Sequence, residues 1–408
     1  MFKVWYSTED SAKWIINNSE LKTYDYKTSK LYESDANRPK DFHKIPTHIK
    51  NILYLDCPDI IIELNQDPVL SLEISTEAGT GHNAFQRFAR IAAAVENNVP
   101  AFYIYPEAVY IQRQASERWD AINPLIYEAL EKTMRIYNVP SLLYYFPSHY
   151  NCQGENKNEF QIATKGLIYD EKYPSCPNSE DDDIKEMFNA INLILQKTIH
   201  GVRPNKFLNE NTIQKRRDFM IREKFTKIKG RDLDKCSPLS ATETIPTEIL
   251  IDHLKRFVKD DYVFTNMLES REETVVYKVN AKFRGDPYPG ALSAIDYLKC
   301  RKGKTYEDRN YNLVMAWGDF KYDSNGIELS GDSNRSVEKF MGEVRKTYGN
   351  PNKVILDREY KDLEDYEIPR YFMQVRFGST FTKRKRIRVY SYFCDAVLFP
   401  DGALWREG

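Results

Sequence analysis

The sequence predicts an α/β fold for the N-terminal part of the chain, because strand-like and helical segments alternate between residues 50 and 147. Two segments, "AFYIY" at 101–105 and "SLLYY" at 141–145, are largely apolar at successive positions. Such runs are typical of strands that helices cover on both faces. Residues 83–98, "NAFQRFARIAAAVENN", place apolar side chains every three or four positions, which predicts an amphipathic helix. These three observations together predict a sheet buried between helices.

The composition is that of a globular protein. The 408 residues are enough for two or three domains, and aromatic residues make up 13%, so a packed core is expected. The net charge of −1 provides no overall basic field, so any binding of nucleic acid depends on local patches. The six cysteines include no CxxC pair, which argues against a structural zinc site and favours free thiols in a reducing compartment.

Because the sequence shows neither a signal-peptide pattern nor an 18-residue apolar window, we expect a cytoplasmic protein that does not contact membranes.

The elements before residue 148 are predicted from periodicity and from helix start signals. Asn83 is expected to cap the helix over 83–98, and Pro124 is expected to kink a helix over 116–138. Residues 20–45 are polar and are expected to form a loop. The first helix is expected at 8–18, and strands are expected at 2–7, 51–55, 59–64, 69–75, 101–105 and 141–147.

The chain is expected to divide into three parts. A helix at 183–199 closes a first domain over residues 1–200, and a basic helix and a linker follow over 201–244. Residues 245–408 are expected to form an α+β domain, with helices at 246–260 and 336–349 and a β-meander at the end.

Acidic residues interrupt two of the predicted strands. Since side chains alternate along a strand, Asp59 and Glu63 share one face of the first strand, and Glu73, Ser75 and Glu77 share one face of the second. If the turn of this hairpin centres on residue 66, Asp59 lies opposite Glu73. Two facing carboxylates repel each other unless a cation lies between them, and Mg²⁺ is the cation that carboxylates of this kind suit. The alternative is an acidic face that is simply solvated.

Four segments in this order resemble the PD-(D/E)xK nuclease superfamily, and type II restriction endonucleases in particular. They are "PD" at 58–59, "EIS" at 73–75, "QRFAR" at 86–90 and "AFYIY" at 101–105, and the resemblance covers roughly residues 50–107. It implies a restriction-endonuclease-like αβα core with a mixed sheet. It further implies Mg²⁺-dependent cleavage of double-stranded DNA that leaves a 5′-phosphate and a 3′-hydroxyl.

The resemblance also assigns roles to single residues. Asp59 matches the first acid of the motif and Glu73 the second, and the backbone carbonyl of Ile74 would be a further metal ligand. Ser75 stands where the family usually has lysine, so the usual ammonium group is missing. Glu77, on the same strand face as Ser75, is a further candidate to bind the metal or a water molecule.

Candidate DNA contacts lie within this motif and after it, and we interpret residues 245–408 as the region that recognises the DNA sequence; an effector domain and a dimerisation domain are the alternatives for that region. Gln86 and Arg90 are four residues apart on one helix face, and His82 is a candidate proton shuttle or DNA contact. The basic helix at 214–231 is a second candidate for contacts to the phosphate backbone. The alternative for each of these groups is an ordinary solvated surface. A third basic group, near the C-terminus, consists of Lys383, Arg384, Lys385 and Arg386.

The function expected from these observations is that of a Mg²⁺-dependent, site-specific endodeoxyribonuclease of restriction–modification type. It would act on double-stranded DNA, and a homodimer is expected because a duplex has two strands to cut. Two alternatives remain. One is a DNA-binding or sensor protein on a decayed nuclease fold, in which Ser75 marks lost catalysis, and the other is an unrelated α/β protein.

Overall fold

The structure is a computed structural model whose described residues fall into two compact units, Met1–Cys236 and Ser237–Gly408. The described residues are 1–31, 44–53, 55, 57–75, 83–106, 108–113, 116–146, 170–228, 241–256, 268–279, 287–305, 307–331, 336 and 393–405.

The first unit combines eight strands with eight helices in its described part. Its strands are β1 (Phe2–Tyr6), β2 (Tyr26–Lys30), β3 (Ile60–Leu64), β4 (Asp67–Ile74), β5 (Ala101–Tyr105), β6 (Ala108–Arg113), β7 (Ser116–Ala121) and β8 (Ser141–Tyr145). Its helices are α1 (Glu9–Asn18), α2 (Thr47–Ile52), α3 (Asn83–Gln86), α4 (Phe88–Glu96), α5 (Leu125–Tyr137), α6 (Asp182–Ile199), α7 (Pro204–Phe207) and α8 (Asn211–Ile228).

Six of these strands form one mixed sheet in the order β2-β1-β3-β4-β5-β8. Strands β3 and β4 form an antiparallel hairpin, and β5 and β8 continue the sheet parallel to β4. Every residue of β5 and β8 is buried, so these strands are covered on both faces, as their apolar sequences predicted. The expectation of an α/β fold with a mixed sheet is confirmed.

Two segments before β3 differ from their predictions. Within the expected loop over 20–45, β2 pairs parallel to β1. Its exposed, Lys-rich sequence is that of an edge strand, which lacks the apolar alternation that marks a half-buried one. The strand expected at 51–55 was wrong over its first residues, where α2 runs to Ile52 and buries Ile49 and Ile52 against the core. These two isoleucines are three positions apart, which is a helical spacing.

The long helix expected over 116–138 was also wrong in its first part. Residues Ser116–Ala121 form β7, which pairs antiparallel with β6. Helix α5 begins at Leu125, and Pro124 occupies its N-cap position instead of a kink. A proline at a helix start costs little because no intrahelical hydrogen bond is lost there.

The basic helix α8 packs within the first unit, against α5, α6 and β8. Its Arg216 is buried, with the Nε–H donating to the Leu143 carbonyl oxygen at 2.7 Å. The same guanidinium contacts Asp183 at 2.7 Å and Glu186 at 3.2 Å and lies over the Tyr144 ring. At least one of the basic residues expected to contact DNA therefore joins helices and sheet in the core.

The described elements of the second unit are β9 (Thr242–Pro246), α9 (Thr247–Lys255), β10 (Glu273–Val279), α10 (Pro287–Ile295) with a π-helical turn (Asp296–Cys300), β11 (Asn312–Trp317), β12 (Asp319–Asp323), β13 (Gly326–Ser330), β14 (Ala396–Phe399) and β15 (Gly402–Trp405). Five of these strands form one mixed sheet in the order β15-β14-β11-β10-β9. A separate hairpin, β12–β13, follows β11. No helix among the residues that the structure describes is long and apolar enough to span a membrane.

A buried ionic network lies in the core of the second unit. Arg309 contacts Asp395 at 3.0 Å and Asp296 at 2.6 Å, and all three side chains are at most 2% exposed. Asp296 also contacts Arg301 at 2.5 Å, and Asp395 accepts a hydrogen bond from the Leu313 backbone N–H. The network joins the π-helical turn to β11 and to the residue before β14.

We expect His253 on α9 to make the second unit sensitive to acid. Its side chain is buried, and burial together with the nearby charge of Arg256 lowers its pKa to about 4. Between the ordinary value of 6.5 and about 4, the unfolded chain binds a proton that the folded unit does not, so stability falls as the pH falls through this range. In urea titrations of the full chain across this range, His253→Gln should show a shallower loss of stability than the wild type. Equal pH dependence would contradict the assignment.

Candidate active site

Next to Asp59 and Glu73, the β3–β4 hairpin has the register that the sequence predicted. Ile60, Ile61 and Ile62 pair with Leu72, Ser71 and Leu70. The turn residues Asn65 and Gln66 both have positive φ, which is typical of a two-residue hairpin turn. The pairing shifts by one residue between Ile62 and Glu63. This bulge allows a two-residue turn to join strands that pair in the predicted register farther from the turn.

Asp59 lies directly before β3 and is held by the strands on both sides. Its backbone N–H donates to the Leu72 carbonyl oxygen, and its Oδ2 accepts a 2.8 Å hydrogen bond from the Ile74 backbone N–H. On the other side, the Ser7 hydroxyl donates to Oδ1 at 3.1 Å. These contacts fix a partly exposed carboxylate level with the end of β4, where Glu73 lies.

Glu73 is fully buried on β4. Its Oε1 accepts a 2.7 Å hydrogen bond from Arg90 and lies 3.5 Å from Nε of Arg87. Its Oε2 is buried and has no hydrogen-bond partner among the described residues. Burial raises the pKa of Glu73 to about 8, the positive charges of Arg90 and Arg87 oppose this shift, and the negative charge of Asp59 adds to it.

The acidic face of this hairpin is not the solvated surface that was the alternative. Glu73 is 0% exposed, and Glu63 is 5% exposed and contacts His48 at 2.8 Å. Ser71 and Ser75, on the same face as Glu73, are buried as well. Buried acids of this kind require nearby cations or hydrogen-bond donors, and here the cations come from the chain itself.

The helix after β4 differs from its prediction in a way that changes the site. Arg87 interrupts the expected helix and separates α3 from α4, and Asn83 lies inside α3. Gln86 is half-buried, whereas Arg90 is 5% exposed and holds Glu73 instead of lying on an open surface. Sequence reasoning missed Arg87, although its position three residues before Arg90 is a helical spacing that could have marked it.

Two further residues lie near Asp59 and Glu73. Ser75 is buried at the end of β4, with its backbone N–H donating to the Ile104 carbonyl oxygen, so no ammonium group stands at this position. Tyr103 on β5 is the neighbour of Glu73 across the sheet, and its hydroxyl is buried without a hydrogen-bond partner in the described structure. Burial raises the pKa of Tyr103, so the phenol stays protonated. In the sequence, Tyr103 is marked only by its place in an apolar strand.

The remaining candidate residues lie outside the described part of the chain. They are Glu77, His82, Lys383, Arg384, Lys385 and Arg386.

Asp59, Glu73 and Ile74 fit a Mg²⁺ ion, which takes one or two carboxylates together with carbonyl oxygens and water. Oε2 of Glu73 is a buried oxygen without a partner, as expected for a metal ligand. The Ile74 N–H points to Asp59, so the carbonyl of the same residue points to this side of the strand too. No group of three or more His, Cys, Asp or Glu side chains suited to a metal occurs among the described residues.

Comparison of the chain with family models, curated proteins and solved structures gave no match.

Proposed function

We propose that this protein is a Mg²⁺-dependent endodeoxyribonuclease of restriction type that hydrolyses phosphodiester bonds in double-stranded DNA. The observation that carries the proposal is the placement of Asp59 and Glu73 side by side, with Oε2 of Glu73 buried and unpartnered. The strand order supports it, since the antiparallel hairpin that bears the acids is followed by α3 and α4 and then by β5, which is parallel to β4. Strand, strand, helix and strand is the order in which residues 50–107 resemble PD-(D/E)xK nucleases.

In this proposal Asp59 and Glu73 hold the ion, with the Ile74 carbonyl as a further ligand. Bound Mg²⁺ supplies a water of lowered pKa and stabilises the negative charge that develops on the phosphate. Ser7 and the Ile74 N–H orient Asp59, and Arg90 orients Glu73 through Oε1.

DNA and a second copy of the chain are the proposed partners. The described residues of one chain hold one such pair of acids, and a duplex has two strands to cut. We therefore propose that two copies act on each site, with the second unit contributing to recognition of the sequence.

A DNA-binding or sensor role without cleavage is the second candidate. Two observations favour it: Ser75 replaces the usual lysine, and Arg90 occupies one oxygen of Glu73 in an ion pair. Such a protein would bind DNA but leave it intact in Mg²⁺.

Incubation with supercoiled plasmid DNA separates the two candidates. The nuclease proposal predicts linear product in Mg²⁺ and none in EDTA, because the carboxylates need the ion to act on a phosphate. The sensor alternative predicts a retarded but uncut plasmid in both conditions. A plasmid that is neither cut nor retarded, over a range of DNA sequences and salt concentrations, would contradict both.

A further inference from the structure

The candidate active site has a serine where the motif has a lysine, and two arginines lie beside Glu73. In the family that residues 50–107 resemble, the position of Ser75 is usually a lysine whose ammonium group orients the attacking water. Here that residue is Ser75, which carries no charge. The described cations next to Glu73 are Arg87 and Arg90, whose nitrogens lie 3.5 and 2.7 Å from its Oε1.

The two arginines differ in their exposure and in the hydrogen bonds that they make to Glu73. The Arg90 side chain is 6% exposed, and its Nη1 donates a short hydrogen bond to Glu73. The Arg87 side chain is 23% exposed, and its buried Nε makes no hydrogen bond in the described structure. Arg87 therefore lies close to the carboxylate of Glu73, but its Nε–H makes no hydrogen bond to that carboxylate. Part of the Arg87 side chain is exposed to solvent.

Arg87 and Arg90 approach Glu73 from the same short stretch of the chain. Arg87 is the N-cap of α4, at the break between α3 and α4, with φ −97° and ψ −1°. The two arginines are three positions apart, which is a spacing that places side chains on one helix face, and Arg87 is the more exposed of the two.

We propose that Arg87 contacts the phosphate that is cut and supplies the positive charge that the missing lysine would give, while Arg90 is a positioning residue that holds Glu73. This inference rests on the proposed nuclease function. A guanidinium matches a phosphate with two parallel hydrogen bonds and stays charged at any working pH. It stabilises the charge that develops during hydrolysis, and it takes no proton from the attacking water, because its pKa is too high.

The test compares Arg87→Gln, Arg87→Lys and Arg90→Gln with the wild type. Arg135→Gln is the matched control, since it removes one arginine charge from an exposed position in the last turn of α5. Cleavage is measured in single turnovers with Mg²⁺ on a plasmid fragment that the wild type cuts. Binding of the same fragment is measured in Ca²⁺, in place of Mg²⁺, at several salt concentrations, and folding is checked by thermal unfolding.

Arg87→Gln should lower the cleavage rate about 10²- to 10³-fold, which is the usual cost of losing one group that stabilises developing charge. In Ca²⁺ the slope of log K against log salt should become shallower by about 0.9, which corresponds to one lost phosphate contact. Arg87→Lys should keep the slope and recover most of the rate, because the charge remains. Arg90→Gln should weaken Mg²⁺ binding, measured by calorimetry without DNA, more than Arg87→Gln does, because Arg90 makes the 2.7 Å hydrogen bond that holds Glu73. Arg135→Gln should cleave at the wild-type rate.

Three results would overturn the inference. The first is wild-type cleavage and an unchanged salt slope in folded Arg87→Gln. The second is an equal loss of rate in Arg87→Lys and Arg87→Gln, which would show that the charge is not what matters. If Arg87→Gln fails to fold, Arg87→Lys decides the case alone, and a loss of rate of about 10²-fold or more in that folded variant would overturn the inference. The third is the absence of cleavage by the wild type itself, which would remove the proposed function together with the inference. In the first two cases the wild type still cleaves, so only the role of Arg87 fails.

Discussion

Asp59→Asn is expected to lower the rate of DNA cleavage by about 10³-fold or more, while DNA binding stays close to that of the wild type. Asparagine keeps the size of the side chain and an oxygen that accepts from the Ile74 N–H, but it lacks the negative charge that holds a metal ion. Losing several kcal/mol of metal-dependent charge stabilisation corresponds to a rate loss of about this size. Because Asp59 is partly exposed, the substitution should leave the fold intact.

The measurement is single-turnover cleavage in Mg²⁺ together with DNA binding in Ca²⁺. Asp67→Asn is the matched control, because it makes the same change at an exposed position of the same hairpin and should cleave normally. Glu73→Gln should be equally inactive, but its effect is harder to interpret because the substitution also removes the charge that pairs with buried Arg90. Cleavage by Asp59→Asn within tenfold of the wild type would show that this carboxylate is not part of the active site.

Arg309→Met is expected to destabilise the second unit by about 3–5 kcal/mol, the usual cost of removing one partner from a buried ionic network. Although burial opposes its charge, Asp296 and Asp395 raise the pKa of Arg309, so the guanidinium stays charged. Without it, the Asp395 side chain keeps its hydrogen bond from the Leu313 N–H, and Asp296 keeps its contact with Arg301. A carboxylate buried in this way must be protonated or exposed by unfolding.

Hydrogen exchange during urea titration measures this effect in each unit separately. Amides of β11 should lose protection at lower urea in Arg309→Met, whereas amides of β5 in the first unit should not change. Lys302→Met is the control, because it removes a charge from an exposed residue and should shift stability by no more than about 0.5 kcal/mol. Adding Asp395→Leu to Arg309→Met should recover part of the loss, since both charges are then absent. Wild-type protection of β11 in Arg309→Met would mean that the network contributes little to stability.

The core of the first unit follows from local patterns. The apolar runs at 101–105 and 141–145 and the alternation around Asp59 and Glu73 are each contained within about ten residues, and the structure confirms these strands. The pairing of Ile60–Ile62 with Leu70–Leu72 could be derived from side-chain alternation and one assumed turn.

What could not be predicted depends on contacts between distant residues or on breaks in a pattern. Arg87 was recognised as a site residue only from the structure, in which the helix is interrupted at that position and the side chain lies beside Glu73. Arg309 and Asp395 are 86 residues apart, and no local periodicity connects them. β2 and α2 were missed because one is an exposed edge strand and the other a short helix with only two buried isoleucines. These elements are stabilised by tertiary contacts more than by local propensity.

The most direct test of the proposed nuclease function is to sequence the DNA ends produced from DNA of high sequence complexity. Wild-type protein in Mg²⁺ is expected to produce ends with a 5′-phosphate and a 3′-hydroxyl that share one short sequence, and Asp59→Asn is expected to produce none of them. Uncut DNA with the wild type, or the same ends with Asp59→Asn, would contradict it.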